Sequence, residues 1–219
     1  MSGTLYEEIQ SAIWQGLGAA ADVLGEGYSL FRPHGVANPV APGSQIDTVN
    51  VRFDAKPAYA FSAPNLYGKA IWYLLGDASG MAVGDYLVGS QGTFFLVAKQ
   101  PLESPVVVEC NAVVSVVRPA KERRPGLQSN YMTDAKADEQ LLMTSWPCSL
   151  LLGSKGERPA SGIQGETRQP WYVVLLPAPD GVDLVTNDLL VDAAGRRLTI
   201  SAVELTDLGY RLTAEQSAA

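Results

Sequence analysis

The chain repeats itself, and that repetition limits the folds open to it more than any other feature. Gly84-Asp85-Tyr86-Leu87-Val88-Gly89-Ser90-Gln91-Gly92-Thr93-Phe94-Phe95-Leu96-Val97 reads as a short apolar strand, a turn closed by glycine, and a second apolar strand. Asn187-Asp188-Leu189-Leu190-Val191-Asp192-Ala193-Ala194-Gly195-Arg196-Arg197-Leu198-Thr199-Ile200 reads the same way. Aligned without a gap, Asp85 falls on Asp188, Leu87 on Leu190, Val88 on Val191, Gly92 on Gly195 and Val97 on Ile200, a constant spacing of 103 (188 − 85). Each copy carries a β-hairpin signature, with Gly84, Asp85, Gly92, Asp188 and Gly195 as its turn residues. Upstream, Trp72-Tyr73 and Trp171-Tyr172 precede the two hairpins, and Val49–Phe53 stands as far before Trp72 as Cys148–Leu152 before Trp171 (72 − 49 and 171 − 148, both 23). Two unrelated β-rich halves match by chance at one hairpin, less readily at three segments in the same order. The sequence therefore predicts a mainly β chain of two tandem small barrel or sandwich units, related by internal duplication, behind an N-terminal α-helix.

Read in order, Thr4-Leu5-Tyr6-Glu7 is a capping box, and Leu5, Ile9, Ile13, Leu17, Ala21 and Leu24 then recur every three or four residues. That spacing gives a helix over 4–24 stopped by Gly25, weakened by about 1 kcal/mol at each of Gly16 and Gly18. Such a helix packs on its own domain or reaches to a neighbouring subunit. Tyr28–Pro33 reads as an edge strand ended by proline, Val49–Phe53 and Ala70–Leu75 as strands, and Pro105–Val117 as one long bent strand or two short ones. Tyr59 and Phe61 suit the plug of a barrel end. Arg118, Lys121, Arg123 and Arg124 interleave with Pro119 and Pro125 in a composition break that reads as a linker, or as a contact for phosphate or an acidic partner. Asp134–Met143 reads as a short helix, and Thr199–Leu205 with Gly209–Leu212 as the closing hairpin. The expected division is a helix over 1–27, a first barrel over 28–119, a linker over 120–146, a second barrel over 147–213 and a frayed tail over 214–219.

Composition narrows the function classes. No run approaches ~18 consecutive apolar residues, so no helix is expected to span a bilayer. The start, Met1–Glu8, lacks the basic-then-apolar pattern of a signal peptide. Two cysteines, Cys110 and Cys148, cannot build a disulfide scaffold, and with the single histidine they make a poor metal set. The net charge of −7 opposes tight wrapping of nucleic acid, and leaves open a wall that nucleic acid slides past without sticking. No nucleophile elbow, zinc-protease or phosphate-loop pattern occurs, and His34 sits in a Pro/Gly loop without a partner suggested by spacing. Asp85 and Asp188 fall where a turn feeds a strand, the place where aspartate accepts backbone N–H bonds. No catalytic role, cofactor or metal is expected.

From Val83 to Pro119 the order of parts is a Gly-Asp turn, a short strand, the aromatic strand Phe94-Phe95-Leu96-Val97, Pro101, and a β-run ending at Arg118-Pro119. This order resembles structural proteins of tailed bacteriophages and prophages, and is similar in particular to β-barrel head-completion proteins, the connectors and stoppers between portal and tail. The resemblance covers about a third of the chain, and two thirds with the second copy. It implies a virion structural protein, assembled in the host bacterial cytoplasm. Such a subunit would stand in a homo-oligomeric ring against a portal or adaptor ring and a tail terminator, tube or sheath protein, with double-stranded DNA passing without sequence-specific contact. The loops 32–46, 54–69 and 153–170 would then seal the lumen or dock the next ring. A tail or baseplate station is the neighbouring reading. A barrel that binds oligosaccharide or single-stranded nucleic acid on Trp72, Trp171, Tyr59 or Phe61 is the reading from another class, and a hydrolase acting through His34 is a third.

Overall fold

The computed structural model describes residues 5–56, 68–119, 139–153 and 170–216. Thr4, Tyr59, Phe61, Lys121, Arg123, Arg124 and most of the expected linker lie outside them. Helix α1 (Leu5–Leu24) leads into two closed antiparallel barrels of six strands each. In the first, β1 (Glu26–Phe31), β2 (Gln45–Asp54), β3 (Ile71–Leu75), β4 (Tyr86–Gly89), β5 (Gly92–Ala98) and β6 (Val106–Cys110) close in the order β1-β2-β3-β6-β5-β4. In the second, β7 (Ala112–Arg118), β8 (Gln140–Leu152), β9 (Trp171–Leu176), β10 (Leu189–Asp192), β11 (Arg197–Thr206) and β12 (Gly209–Gln216) close as β7-β8-β9-β12-β11-β10. The two orders are one topology used twice, so the repetition in sequence is a repetition of fold.

Strand pairing moves several expected boundaries. Pro105–Val117 is two strands, and they belong to different barrels: β7 pairs with β8 and β10, so the second barrel begins at Ala112 and not at 147. Only Asn111 separates it from the first. Gln140–Met143, expected at the end of a helix, is the start of β8, because Leu141 and Met143 find Val117 and Val116 across the ladder. β1 is no edge strand; it pairs with β2 on one side and β4 on the other. The gapless alignment also slips. The first hairpin turns through two residues between Gly89 and Gly92, whereas the second needs three between Asp192 and Arg196, with Gly195 at φ +79°. Leu96, not Val97, is therefore the counterpart of Ile200: each accepts a bond from the turn before its hairpin, Gly84 N to Leu96 O and Asn187 N to Ile200 O, both 2.8 Å. Followed across the sheet, Trp72 opposite Val107 matches Tyr172 opposite Ala214, one place from the tryptophan expected.

Alternation along the strands sorts the side chains into two cores. Tyr28, Leu30, Val51, Leu74, Leu87, Phe94, Leu96 and Val107 fill the first barrel. Phe53 stacks on Phe94 at 3.9 Å there, and Tyr28 meets both rings edge-on. The opposite faces of β4, β5 and β6 carry Tyr86, Phe95, Val97 and Val108, and these are continuous with the interior of the second barrel through Trp146, Cys148, Val174, Leu190, Ile200 and Leu212. The Tyr86 hydroxyl donates to the Pro147 carbonyl at 2.7 Å and its ring meets Trp146 edge-on. The β1–β2 loop reaches the second barrel too: Val36 O accepts from Thr144 N and from Trp146 Nε1.

Helix α1 lies on the first barrel by part of the face its periodicity suggests, Leu17 and Ala21, joined by Trp14 from outside that pattern. Trp14 and Ala21 are buried, while Leu5 and Leu24 are 73% and 55% exposed. The buried side includes Gly18, where a Cβ would come within 3.0 Å of the Asp77 Cβ, so the residue that weakens the helix also lets it approach.

Candidate functional site

Three of the five turn residues singled out from sequence, Gly84, Asp85 and Asp188, fall in two copies of one device, while Gly92 and Gly195 lie apart from it in the hairpin turns. Asp85 and Asp188 are 2% and 1% exposed, and charged groups this deep require partners. Arg32 supplies them in the first barrel, with Nε to Asp85 Oδ1 at 2.9 Å and Nη2 to Oδ2 at 2.7 Å. Arg118 repeats the fork on Asp188 at 2.7 and 2.8 Å. In each copy the carboxylate also accepts a backbone N–H three residues back, from Ala82 and from Val185. The arginine also donates to a carbonyl five residues before its aspartate, Gly80 O and Asp183 O. Gly84 and Asn187 take left-handed φ values of +90° and +73° between these bonds, a conformation glycine and asparagine tolerate best. The 103-residue spacing is thus the spacing of the turn half of the clamp, carbonyl 80/183, amide 82/185, left-handed residue 84/187 and carboxylate 85/188, while its arginines stand 86 apart (118 − 32).

The clamp ties the end of each barrel's first strand to the turn that feeds its fourth. The hydrogen bonds to Asp85 and Asp188, and then their charges, hold the guanidinium groups of Arg32 and Arg118 above their ordinary pKa. Arg118, expected as a contact for DNA or a partner, is therefore spent inside the fold. Its signal in sequence is the pair of apolar residues followed by Arg-Pro, which ends both first strands as Leu30-Phe31-Arg32-Pro33 and Val116-Val117-Arg118-Pro119.

Other chemistry-bearing side chains stand apart. Among the described residues no three of histidine, cysteine, aspartate and glutamate lie close enough to hold a metal. His34 is on the exposed β1–β2 loop. Burial pushes the Cys110 thiol well up, and the Cys148 thiol up to about 12. Trp72 is half-buried and donates Nε1–H to Glu109 at 2.9 Å, and the Trp171 indole covers Gly153, where a Cβ would sit 2.2 Å from the ring. Both tryptophans are thereby committed to the barrel walls. A cleft of about 90 Å³ opens at the seam between the barrels, where Val83 and Leu96 face Pro177 and Leu208. Compared with known proteins, the chain matches no family model, no curated protein and no solved structure.

Proposed function

We propose that this chain is a structural protein of a tailed-phage virion, a neck subunit that stands in a cyclic ring around the DNA channel between portal and tail. The order of parts from Val83 to Pro119 is the starting point of the reading. The observation that carries it is the single apolar core running from the outer face of β4–β6 into the second barrel, across a junction of one residue. Domains joined by an exposed linker move relative to one another by default; a pair sharing its core is a block. A ring closes only if each head-to-tail contact repeats the same rotation, and a block that does not flex keeps that rotation constant. The net charge of −7 fits a conduit that must not arrest DNA, since attraction to phosphate requires concentrated cations. Lys121, Arg123 and Arg124 remain the residues proposed for contact with phosphate or an acidic neighbour.

Mass measurement by light scattering, on the full chain alone and mixed with a portal ring, tests the reading. The expected result is a ring-sized species, formed alone or on the portal. A chain that stays monomeric and leaves the portal unaltered across salt concentrations would overturn it.

A further inference from the structure

The hairpin of β11 and β12 runs further than its counterpart. In the first barrel Ala98↔Val106 is the last pair before the loop 99–105. The matching pair in the second, Ala202↔Thr213, is followed by Val203↔Leu212, Glu204↔Arg211, Leu205↔Tyr210 and Thr206↔Gly209. β9 covers the β12 side of this extension through Tyr210↔Leu176, Arg211↔Leu175 and Leu212↔Val174. The β11 side of this extension has no described strand paired to it, because β10 pairs only with Arg197–Thr199.

In an antiparallel ladder, pairs that exchange both hydrogen bonds alternate with pairs whose N–H and C=O point away. The two-residue turn closes on Thr206↔Gly209, so Glu204 and Ala202 bond inward, while Val203 and Leu205 present their backbone groups to the open side. Elsewhere the chain covers such edges. On β2, Gln45 Nε2 donates to Asp47 O and Asp47 Oδ1 accepts from Thr48 N. On β8, Thr144 N is taken by Val36 O. Ala202–Thr206 has no proline and no described side chain turned back onto that edge, and Leu205 is 56% exposed beside it. Proteins manage open edges explicitly, and one that no described strand covers is a template for pairing with another chain.

We propose that the open edge of β11, Ala202–Thr206, receives an extended strand from a partner protein by β-augmentation, with a lysine or arginine of that strand opposite Glu204 and apolar side chains beside Val203 and Leu205. The charge follows from Glu204 and Asp207, both exposed, against the single cross-strand cation Arg211 at 3.6 Å. The same edge of a second copy, paired antiparallel about Glu204, would set Glu204 against itself, and like charges directly opposite destabilise a ladder. Paired about Val203 or Leu205 it would set Glu204 opposite Ala202 or Thr206, neither of which supplies the opposite charge, so the occupant that the charge fits is a different, basic strand. None of this depends on the chain standing in a ring.

The test titrates the full isotope-labelled chain with two capped peptides, Thr-Val-Lys-Val-Thr and Thr-Val-Glu-Val-Thr, and reads amide exchange and chemical shifts. The lysine peptide is expected to slow exchange at Val203 and Leu205 and to bind about fivefold tighter than the glutamate peptide, with Glu204→Lys reversing that preference. Leu205→Pro removes an outward N–H that the hairpin does not use, and is expected to weaken binding about tenfold. Glu204→Lys is an exposed change and decides the matter even if the proline disturbs the hairpin. Absence of protection at millimolar peptide, a preference unchanged by Glu204→Lys, or amides of Val203 and Leu205 already protected in the free chain would each overturn the proposal.

Discussion

Replacing Arg118 with alanine strips Asp188 of two of its three described donors and leaves a carboxylate that is 1% exposed beside one backbone N–H. Breaking a fully buried pair from one side costs about 3–5 kcal/mol, and an exposed pair is worth about 0–1. The Arg118 side chain is 35% exposed while its partner is almost fully buried, so solvent screening lowers the figure to about 2–4 kcal/mol. Urea unfolding should show the loss as a lower midpoint at unchanged slope, and heating as a fall of roughly 2–4 °C per kcal/mol for a chain of this size. Arg32→Ala should cost the same within about 1 kcal/mol, because Asp85 has the same partners. Arg118→Lys should recover only part, since one ammonium cannot fork across two carboxylate oxygens. The double variant Arg118→Leu/Asp188→Leu should be less damaging than the two single losses added together, because no charge is then left unpaired. A loss below about 0.5 kcal/mol for Arg118→Ala, or strict additivity in the double variant, would refute the reasoning.

Cys110 and Cys148 should resist a thiol reagent in the native chain at pH 8 and react fully in urea. Because the folded Cys148 value, about 12, lies above the ordinary 9.0, the stabilisation from its neutral thiol is fully present below pH 9 and is lost as pH rises towards 12; titrating stability with Cys148→Ser as the control checks this. Ser149 Oγ is buried without a hydrogen-bond partner among the described residues, so Ser149→Ala should raise the urea midpoint, by up to about 1 kcal/mol in stability. Gly84→Ala forces a Cβ into φ +90° and should cost about 1–2 kcal/mol, whereas Asn187→Gly, at the matching place, should be nearly neutral by the same melt.

The duplication and the barrel class were legible because a period-two pattern and glycine turns survive in both copies at nearly constant spacing. Asp85 and Asp188 could be read as turn formers, since aspartate before a strand caps backbone amides whatever lies elsewhere. Their arginines were harder to see: Arg32 stands 53 residues from Asp85 and Arg118 stands 70 from Asp188, so no local pattern joins them. The barrel boundary was misplaced for a related reason. Val106–Cys110 and Ala112–Arg118 are equally apolar and β-branched, and only their partners, Ile71–Tyr73 for one and Leu189–Asp192 for the other, assign them to different barrels. The helix face is legible only in part, because periodicity picks out Leu17 and Ala21, which meet the barrel, together with Leu5 and Leu24, which do not, and passes over Trp14.

The outward face of the first barrel has a consequence during synthesis. Strand β6 is complete at Cys110, yet Tyr86, Phe95, Val97 and Val108 gain their cover only as the chain extends towards β12, which ends at Gln216. At about 5–20 residues per second, a nascent first barrel carries this aromatic and aliphatic flank naked for roughly 5–20 s. Sticky intermediates are therefore confined to one interval of translation, in which slow elongation or a truncated message leaves a half-molecule whose greasiest side looks outward.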